Sequence, residues 1–337
     1  MTSLNVLITA ASRRVPLIQA FQRALREAHV LGSVCVTDVN GLSPGVHVAD
    51  RAFGVPMANA PGYIDAIEEI CTHERVGLVV PTIDDELPLF GAWRDRLQAN
   101  GTRVAASSQL TAEICNDKFL TCHYLASHGI PVAETFLPSA LPAELALPVF
   151  VKPRVGRGGV GAFAARTRRE LEFFIDYVPT PVVQTFLDGP EFTIDVLGDF
   201  DGRPISVVPR ERVVIRAGTI DRGRTVNDRS LLELGMRCAQ TLRFVGAANV
   251  QCRVVNGQPV VFEINPRFSG GIPLTIAAGA DFPRLLVELA LGREVDEQIG
   301  SFESGLWMTN FEKMIVLGTD AAEKLERYRP VALREAG

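Results

Sequence analysis

The chain has 337 residues, a formal net charge of -5 and a pI near 5.7, enough length to bury a large core in two or three domains. The acidic balance argues against a basic nucleic-acid face, and no uninterrupted apolar run is long enough to span a bilayer. The first residues, MTSLNVLITA, run into a strand without a signal-peptide pattern, so the expectation is a cytoplasmic protein with no membrane or nucleic-acid partner.

Strand patterns at 4–9, 30–37 and 76–80 alternate with helical periodicity at 15–28, 63–73 and 86–98. That rhythm predicts an open parallel α/β sheet covered on both faces. The first turn, TAASRRV, stands where a dinucleotide fingerprint would but has no G-x-G-x-x-G, which argues against a nicotinamide or flavin cofactor. Open sheets bind ligands at the carboxyl ends of their strands, which singles out Ser12, Arg13, Arg14, Asp38 and the run Asp84-Asp85-Glu86. One of the two aspartates is read as a helix cap and the other as a ligand.

After residue 106 the pattern changes. LTAEICNDKFLTCHYLAS reads as an amphipathic helix or helix pair ended by Gly129-Ile130-Pro131, and within this segment alone Lys118 reads as a solvated helix lysine. The strand PVFVKP then delivers Lys152 directly before a loop with Gly156, Gly158, Gly159 and Gly161. Glycines at that density let backbone N–H groups converge on an anion, so phosphate binding is favoured over a flexible surface hairpin. It is not a Walker A loop, since no Gly-Lys-Ser/Thr closes it and the strand-like GAFAAR follows. Next, VVQTFL ends in free backbone groups suited to an adenine ring, and Glu191 follows at a spacing suited to ribose hydroxyls. By itself that segment reads equally as an ordinary hairpin.

Near the carboxyl end, PVVFEINPR sets Glu263, Asn265 and Arg267 on alternate residues, which share one face of a strand. A carboxylate, an amide oxygen and a guanidinium serve a hard divalent cation and a phosphoryl group, with Val260, Phe262 and Ile264 turned to a core. Gln251, on the preceding strand, can face Glu263 only if the connection has an odd residue count or a bulge. The expectation is a three-residue type of loop with Gly257 at positive φ. Residues 208–229 carry six arginines, of which Arg210 and Arg212 are read into a carboxylate site and the later ones into a mobile loop. Ser269-Gly270-Gly271 offers open N–H groups to a second anion. The six cysteines lack metal or redox spacing and read as reduced, buried thiols, and the five histidines form no triad.

Lys118, VKPRVGRGGVG with Lys152, VQTFLDGPE, and NVQ followed by FEINPR together resemble the ATP-grasp superfamily over nearly the whole chain, in the manner of one ATP-grasp unit of the carbamoyl-phosphate synthase large chain. The resemblance implies a mixed α/β and α+β fold. An N-terminal open parallel α/β (pre-ATP-grasp) domain would span 1–107 and a two-lobed ATP-grasp domain 108–316, with a small lobe at about 115–185, a large lobe at about 186–316, and a tail at 317–337. It implies ATP and Mg2+, with Mn2+ as an alternative. Lys118 and Lys152 would hold the phosphates under the glycine loop, Gln184, Thr185, Phe186 and Leu187 the adenine, and Glu191 the ribose. Gln251, Glu263 and Asn265 match the metal positions and Arg267 the catalytic arginine. Position 251 is often a carboxylate in the superfamily, so the amide here removes one negative charge beside the metal. Substrate binding is expected from Arg13, Arg14, Asp84 and Asp85 on one wall and from Arg210, Arg212, Ser269 and Gly270 on the other. The implied activity is an ADP-forming carboxylate-amine ligase acting through an acyl phosphate, with small-molecule carboxylate and amine partners and a homodimer allowed. Phosphorylation of carbamate or bicarbonate, and a nucleotide-binding regulator without turnover, are the alternatives. A single motif set without an internal repeat weighs against the former.

Overall fold

In the computed structural model, residues 2–319 are described except 157 and 217. β1 (Asn5–Ile8), β2 (Val34–Asp38), β3 (Arg51–Gly54), β4 (Val76–Val80) and β5 (Arg103–Val104) pair in parallel in the order β3-β2-β1-β4-β5. Their Val-, Ile- and Leu-rich runs are buried because helices cover both faces. α1 (Val15–Glu27) packs on the side of Val6 and Ile8, whereas α2 (Tyr63–His73) and α3 (Leu87–Ala99) pack on the side of Leu7 and Val79. The strand expected from residue 30 begins only at Val34, with Ser3 and Leu31 meeting in an isolated bridge ahead of it.

The helical stretch that follows is a pair, α4 (Gln109–Asn116) and α5 (Lys118–Ser127). Asp117 makes the break, because its backbone is extended and its carboxylate accepts from the N–H groups of Phe119 and Leu120 as the cap of α5. A small antiparallel sheet comes next, in the order β6-β9-β7-β8, formed by β6 (Thr135–Phe136), β7 (Val149–Pro153), β8 (Phe163–Ala165) and β9 (Pro181–Thr185). α6 (Arg168–Tyr177) backs it, started by a capping box between Thr167 and Glu170.

The larger antiparallel sheet holds β10 (Glu191–Gly198), β11 (Pro204–Arg216), β12 (Thr219–Thr225), β13 (Gly246–Val255), β14 (Gln258–Asn265) and β15 (Trp307–Thr309), in the order β14-β13-β10-β11-β12-β15. α7 (Arg229–Leu242) packs under it, and α8 (Ile272–Ala277) and α9 (Phe282–Ala290) carry the chain back to α1. One apolar cluster contains Ile8 and Phe21 together with Leu197, Val208, Phe268 and Phe282, so the first sheet and the large one share a core. No helix among the described residues is long and apolar enough to cross a membrane.

The β13–β14 hairpin departs from expectation in its loop. Val255 pairs with Gln258, leaving a two-residue turn with Asn256 and Gly257 both at positive φ, as expected for Gly257 but not for the loop length. Gln251 nevertheless faces Glu263, because the register shifts between Gln251 and Cys252. Phe262 is the extra residue of that bulge. The bulge also reverses the phase of the strand: Val261 is fully buried, Val260 is only half-buried, and Phe262 turns out of the core.

Candidate active site

A cleft lies between the small and large sheets. Counting its open mouth it encloses about 900 Å³, the scale of a small-molecule site. From the small-sheet side it is walled by Lys118, Phe150, Lys152, the loop at Gly156, Gly158 and Gly159, Gln184, Thr185 and Leu187. From the large sheet come Glu191, Arg212, Gln251, Arg253, Phe262 and Glu263.

Lys152 is buried, where its Nζ donates to Gln184 Oε1 at 2.7 Å and sits 5.6 Å from the Phe262 ring centroid. Burial lowers its pKa, with Glu263 pulling in the opposite direction and Lys118 adding to the lowering. The ammonium thus has spare donors and a desolvation cost that an anion would relieve. Lys118 is buried too, contrary to the solvated reading of its helix, and donates to the Gly156 carbonyl at 2.6 Å. Asp117 joins the two lysine elements: besides capping α5 it accepts from Arg154 Nε at 2.6 Å, immediately after β7. The glycines at 156, 158, 159 and 161 all have positive φ, and nothing lies within 4 Å of where a Cβ on Gly158 or Gly159 would stand. Gly161 instead lies against Pro153, and Phe186 stacks behind Phe150 at 5.2 Å, so neither lines the cleft.

Glu263 and Gln251 face each other across β13 and β14. Asn265 is buried at the strand end, where its Nδ2 donates to Glu263 Oε1 at 3.2 Å and its Oδ1 accepts from Arg267 Nη2 at 3.1 Å. Among the described residues no three His, Cys, Asp or Glu side chains gather at a metal geometry. One carboxylate and two amide oxygens suit a Mg2+ ion that keeps waters and phosphate oxygens as ligands, rather than a cation caged by protein alone.

Arg267 lies past the cleft wall, at the junction with the first sheet. Its Nε and Nη2 donate to Asp84 Oδ2 at 3.2 and 3.0 Å, and its Nη1 to the Phe268 carbonyl at 3.1 Å. Arg14 donates to that same carbonyl at 3.3 Å and to the Thr82 carbonyl at 2.9 Å. Burial, then the nearness of Arg267, lowers the Arg14 pKa to about 10. Asp84 was expected either to cap α3 or to meet a substrate amine; its side chain instead holds Arg267, and α3 has no side-chain cap. Glu86, the third acid of that run, is fully buried and accepts from Thr9 Oγ1, Tyr63 Oη and the Thr82 N–H, tying β1 to β4.

The remaining substrate candidates separate. Arg13, Asp85 and Gly270 are exposed. Asp38 accepts from the N–H groups of Ser12 and Asn40 and so ties the turn after β1 to its own. Arg210 corrects the expectation of a carboxylate ligand in the open site: it is fully buried, donates twice to Asp195, and holds Ser269 Oγ at 2.9 Å beneath the loop after Arg267. It lies on the same face of the sheet as Thr193 and Gln251, but Ser269, Gly271 and the Asp195-bound Thr275 of α8 cover that part of the face. Arg212, two residues on, does reach a cleft, but the one that holds the lysines. Sequence reasoning missed Phe150, Arg253 and Asn249. Asn249 Nδ2 donates to the carbonyls of Asn265 and Arg267, pinning the strand exit, and its place in NVQ two residues before Gln251 was the available signal.

The fold and this cleft define a class. Residues 177–314 match the family model described as ATP-grasp in the biosynthetic pathway with Ter operon, and residues 6–105 match the PylC-like N-terminal domain. The chain carries an ATP-grasp domain behind a PylC-like N-terminal domain and is homologous to the ATP-grasp units of carbamoyl phosphate synthase large chains. It is 28% identical over 314 residues to that large chain from Thermoanaerobacter sp. (strain X514), covering 84% of this chain and 28% of the relative. The chain therefore spans less than a third of the length of that relative. Among solved structures, L-amino acid ligase from Bacillus licheniformis superposes with a TM-score of 0.70 at 19% identity, over 90% of this chain and 78% of that one. The biotin carboxylase domain of Hydrogenobacter thermophilus 2-oxoglutarate carboxylase, solved with MgADP and bicarbonate, has a TM-score of 0.70 at 16% identity, over 91% and 74% of the two chains.

Proposed function

We propose that the chain is an ATP-dependent, ADP-forming carboxylate-amine ligase that activates a small carboxylic or amino acid as an acyl phosphate for attack by an amine. The observation that carries this reading is the meeting in one cleft of two buried lysines from separate elements, the glycine loop and Glu263, with Arg267 just beyond them. Mg2+ arriving with the nucleotide would neutralise phosphate charge, with Glu263, Gln251 and Asn265 as its protein ligands. Lys118 and Lys152 orient the phosphates, and Arg267 stabilises charge that moves toward it as the phosphoryl group transfers. Gln184 and the backbone at Thr185 and Leu187 take the adenine, and Glu191 the ribose. Arg13, Asp85, Ser269 and Gly270 remain as candidates for the substrate walls. In this reading 1–107 form the substrate-side domain and 108–316 the ATP-grasp domain. The tail at 317–337 lies outside the described residues from 320 onward. All six cysteines are free and buried, which suits a reducing, cytoplasmic setting.

The test is ADP release with MgATP across a panel of carboxylic acids, each alone and with a panel of amines. Release that requires both an acid and an amine is the expected result. Release with bicarbonate and no amine would instead favour phosphorylation of bicarbonate or carbamate, the reading that likeness to carbamoyl phosphate synthase supports. ATP binding without ADP release from any pair would favour a regulatory role.

A further inference from the structure

Glu191 is the first residue of β10 and is flanked by arginines from both neighbouring strands. It pairs directly with Arg253 across β10 and β13, which puts the two side chains on one face. Arg212 lies one step beyond the Phe192–Glu211 pair of β10 and β11. The result is a clamp: Arg253 Nη2 donates to Glu191 Oε2 at 2.6 Å, and Arg212 Nε stands 3.3 Å from Oε1. All three side chains line the cleft.

Each arginine is also tied elsewhere. Arg253 Nη1 donates to the Gly189 carbonyl at 2.9 Å, and Gly189 lies so close under the Val254 carbonyl that any side chain there would collide with it. The turn leading into Glu191 is thereby fixed to β13. Arg212 Nη2 donates to the Gly218 carbonyl at 2.8 Å, and a Cβ on Gly218 would come within 2.5 Å of the Gly158 carbonyl in the glycine loop. Arg212 keeps only 6% of its side chain exposed, and its Nε has no hydrogen-bond acceptor at good geometry. Two cations around one carboxylate fix its orientation while leaving lone pairs on both oxygens for donors from the cleft.

We propose that Arg253 and Arg212 are positioning residues that hold the Glu191 carboxylate against the ribose hydroxyls of the nucleotide, making those hydroxyls a determinant of which nucleotide binds. The inference rests on the nucleotide reading of the cleft. A ribose hydroxyl pair donating to a fixed carboxylate is lost entirely in a dideoxy nucleotide, whereas base and phosphate contacts are retained. Wild-type protein is therefore expected to bind ATP about tenfold more tightly than 2′,3′-dideoxyATP.

The experiment is calorimetric titration of the full chain with each nucleotide in the presence of Mg2+. Arg253→Met should bring the ratio of the two dissociation constants to within about twofold of unity while changing the dideoxyATP constant by less than about threefold. Arg253→Lys and Arg212→Lys, which keep the charge without the fork, should give intermediate ratios and serve if the methionine variant does not fold. Equal weakening of both nucleotides would mean a merely structural role and overturns the proposal, as does a wild-type ratio near unity. Failure of the wild type to bind either nucleotide overturns the nucleotide reading itself, and the clamp with it.

Discussion

Lys152 keeps its ammonium buried beside the Gln184 amide and the Phe262 ring, and its lowered pKa has two measurable consequences. Between that lowered value and the ordinary 10.5 the unfolded chain binds a proton that the folded chain does not, so stability attributable to this group rises with pH across the window. Lys152→Met should remove that rise in denaturant titrations at alkaline pH. An anionic nucleotide favours the charged lysine, so ATP binding should take up a proton in the same window. Calorimetry in buffers of different ionisation enthalpy reads the uptake, which the methionine variant should lack. The Asp84–Arg267 contact makes a second prediction at this scale. Asp84→Asn leaves Arg267 without its charge partner while Arg14 stays close by. ADP formation in single turnover should fall about 100-fold through misplacement of the guanidinium. The ATP dissociation constant should change little, since Asp84 does not line the nucleotide cleft. A variant that loses ATP affinity and retains its turnover rate would contradict this assignment.

At the scale of the element, the bulge at Phe262 and the loop at 269–271 set the geometry. The bulge brings two consecutive residues, Phe262 and Glu263, to the cleft, which a regular strand would send to opposite faces. The loop rests on Arg210, and Gly271 has no room for a side chain: a Cβ there would meet the Arg210 guanidinium and lie 2.8 Å from Ile220 Cγ2. Gly271→Ala should therefore cost about 2 kcal/mol by overpacking, measurable by chemical denaturation. Because the same loop follows Arg267, turnover should fall more than ATP affinity does. Unchanged stability would show that the loop can move off Arg210 without penalty.

At the scale of the molecule, the N-terminal sheet and the large sheet are joined by a shared apolar cluster and by Arg14, which crosses between Thr82 and Phe268. Phe21 of α1 packs edge-on against Phe268 at 6.0 Å, next to Arg267. The two parts should unfold in one transition, followed by far-ultraviolet circular dichroism and tryptophan fluorescence in urea. Arg14→Ala leaves the carbonyl of buried Thr82 without its side-chain donor, while the Phe268 carbonyl keeps Arg267, and should lower stability by about 2 kcal/mol. A second, earlier transition for the N-terminal part would contradict the shared-core account.

Local order made much of this legible in the chain itself. Short apolar runs located β1 and β4, and period-3.6 patterns α1, α2 and α3, nearly to the residue, because each packs against neighbours that only have to be apolar. The glycine loop beside Lys152 and the Glu263–Asn265–Arg267 strand end were visible for the same reason: close spacing in sequence forces closeness in space. What spans long separations was not visible. Asp84 and Arg267 lie 183 residues apart, and Glu191 and Arg253 62 apart. The sequence supplies charges of both signs at many positions and does not say which of them meet. The bulge was equally hidden, since a two-residue turn and a shifted ladder reach the same Gln251–Glu263 pairing as a longer loop without one. Residue types and local periodicity thus determined the elements and the chemistry on offer. Tertiary packing decided which charges neutralise one another, and so which remain facing the cleft: Arg210 was taken by Asp195, Asp84 by Arg267, and Lys152 was left with donors to spare.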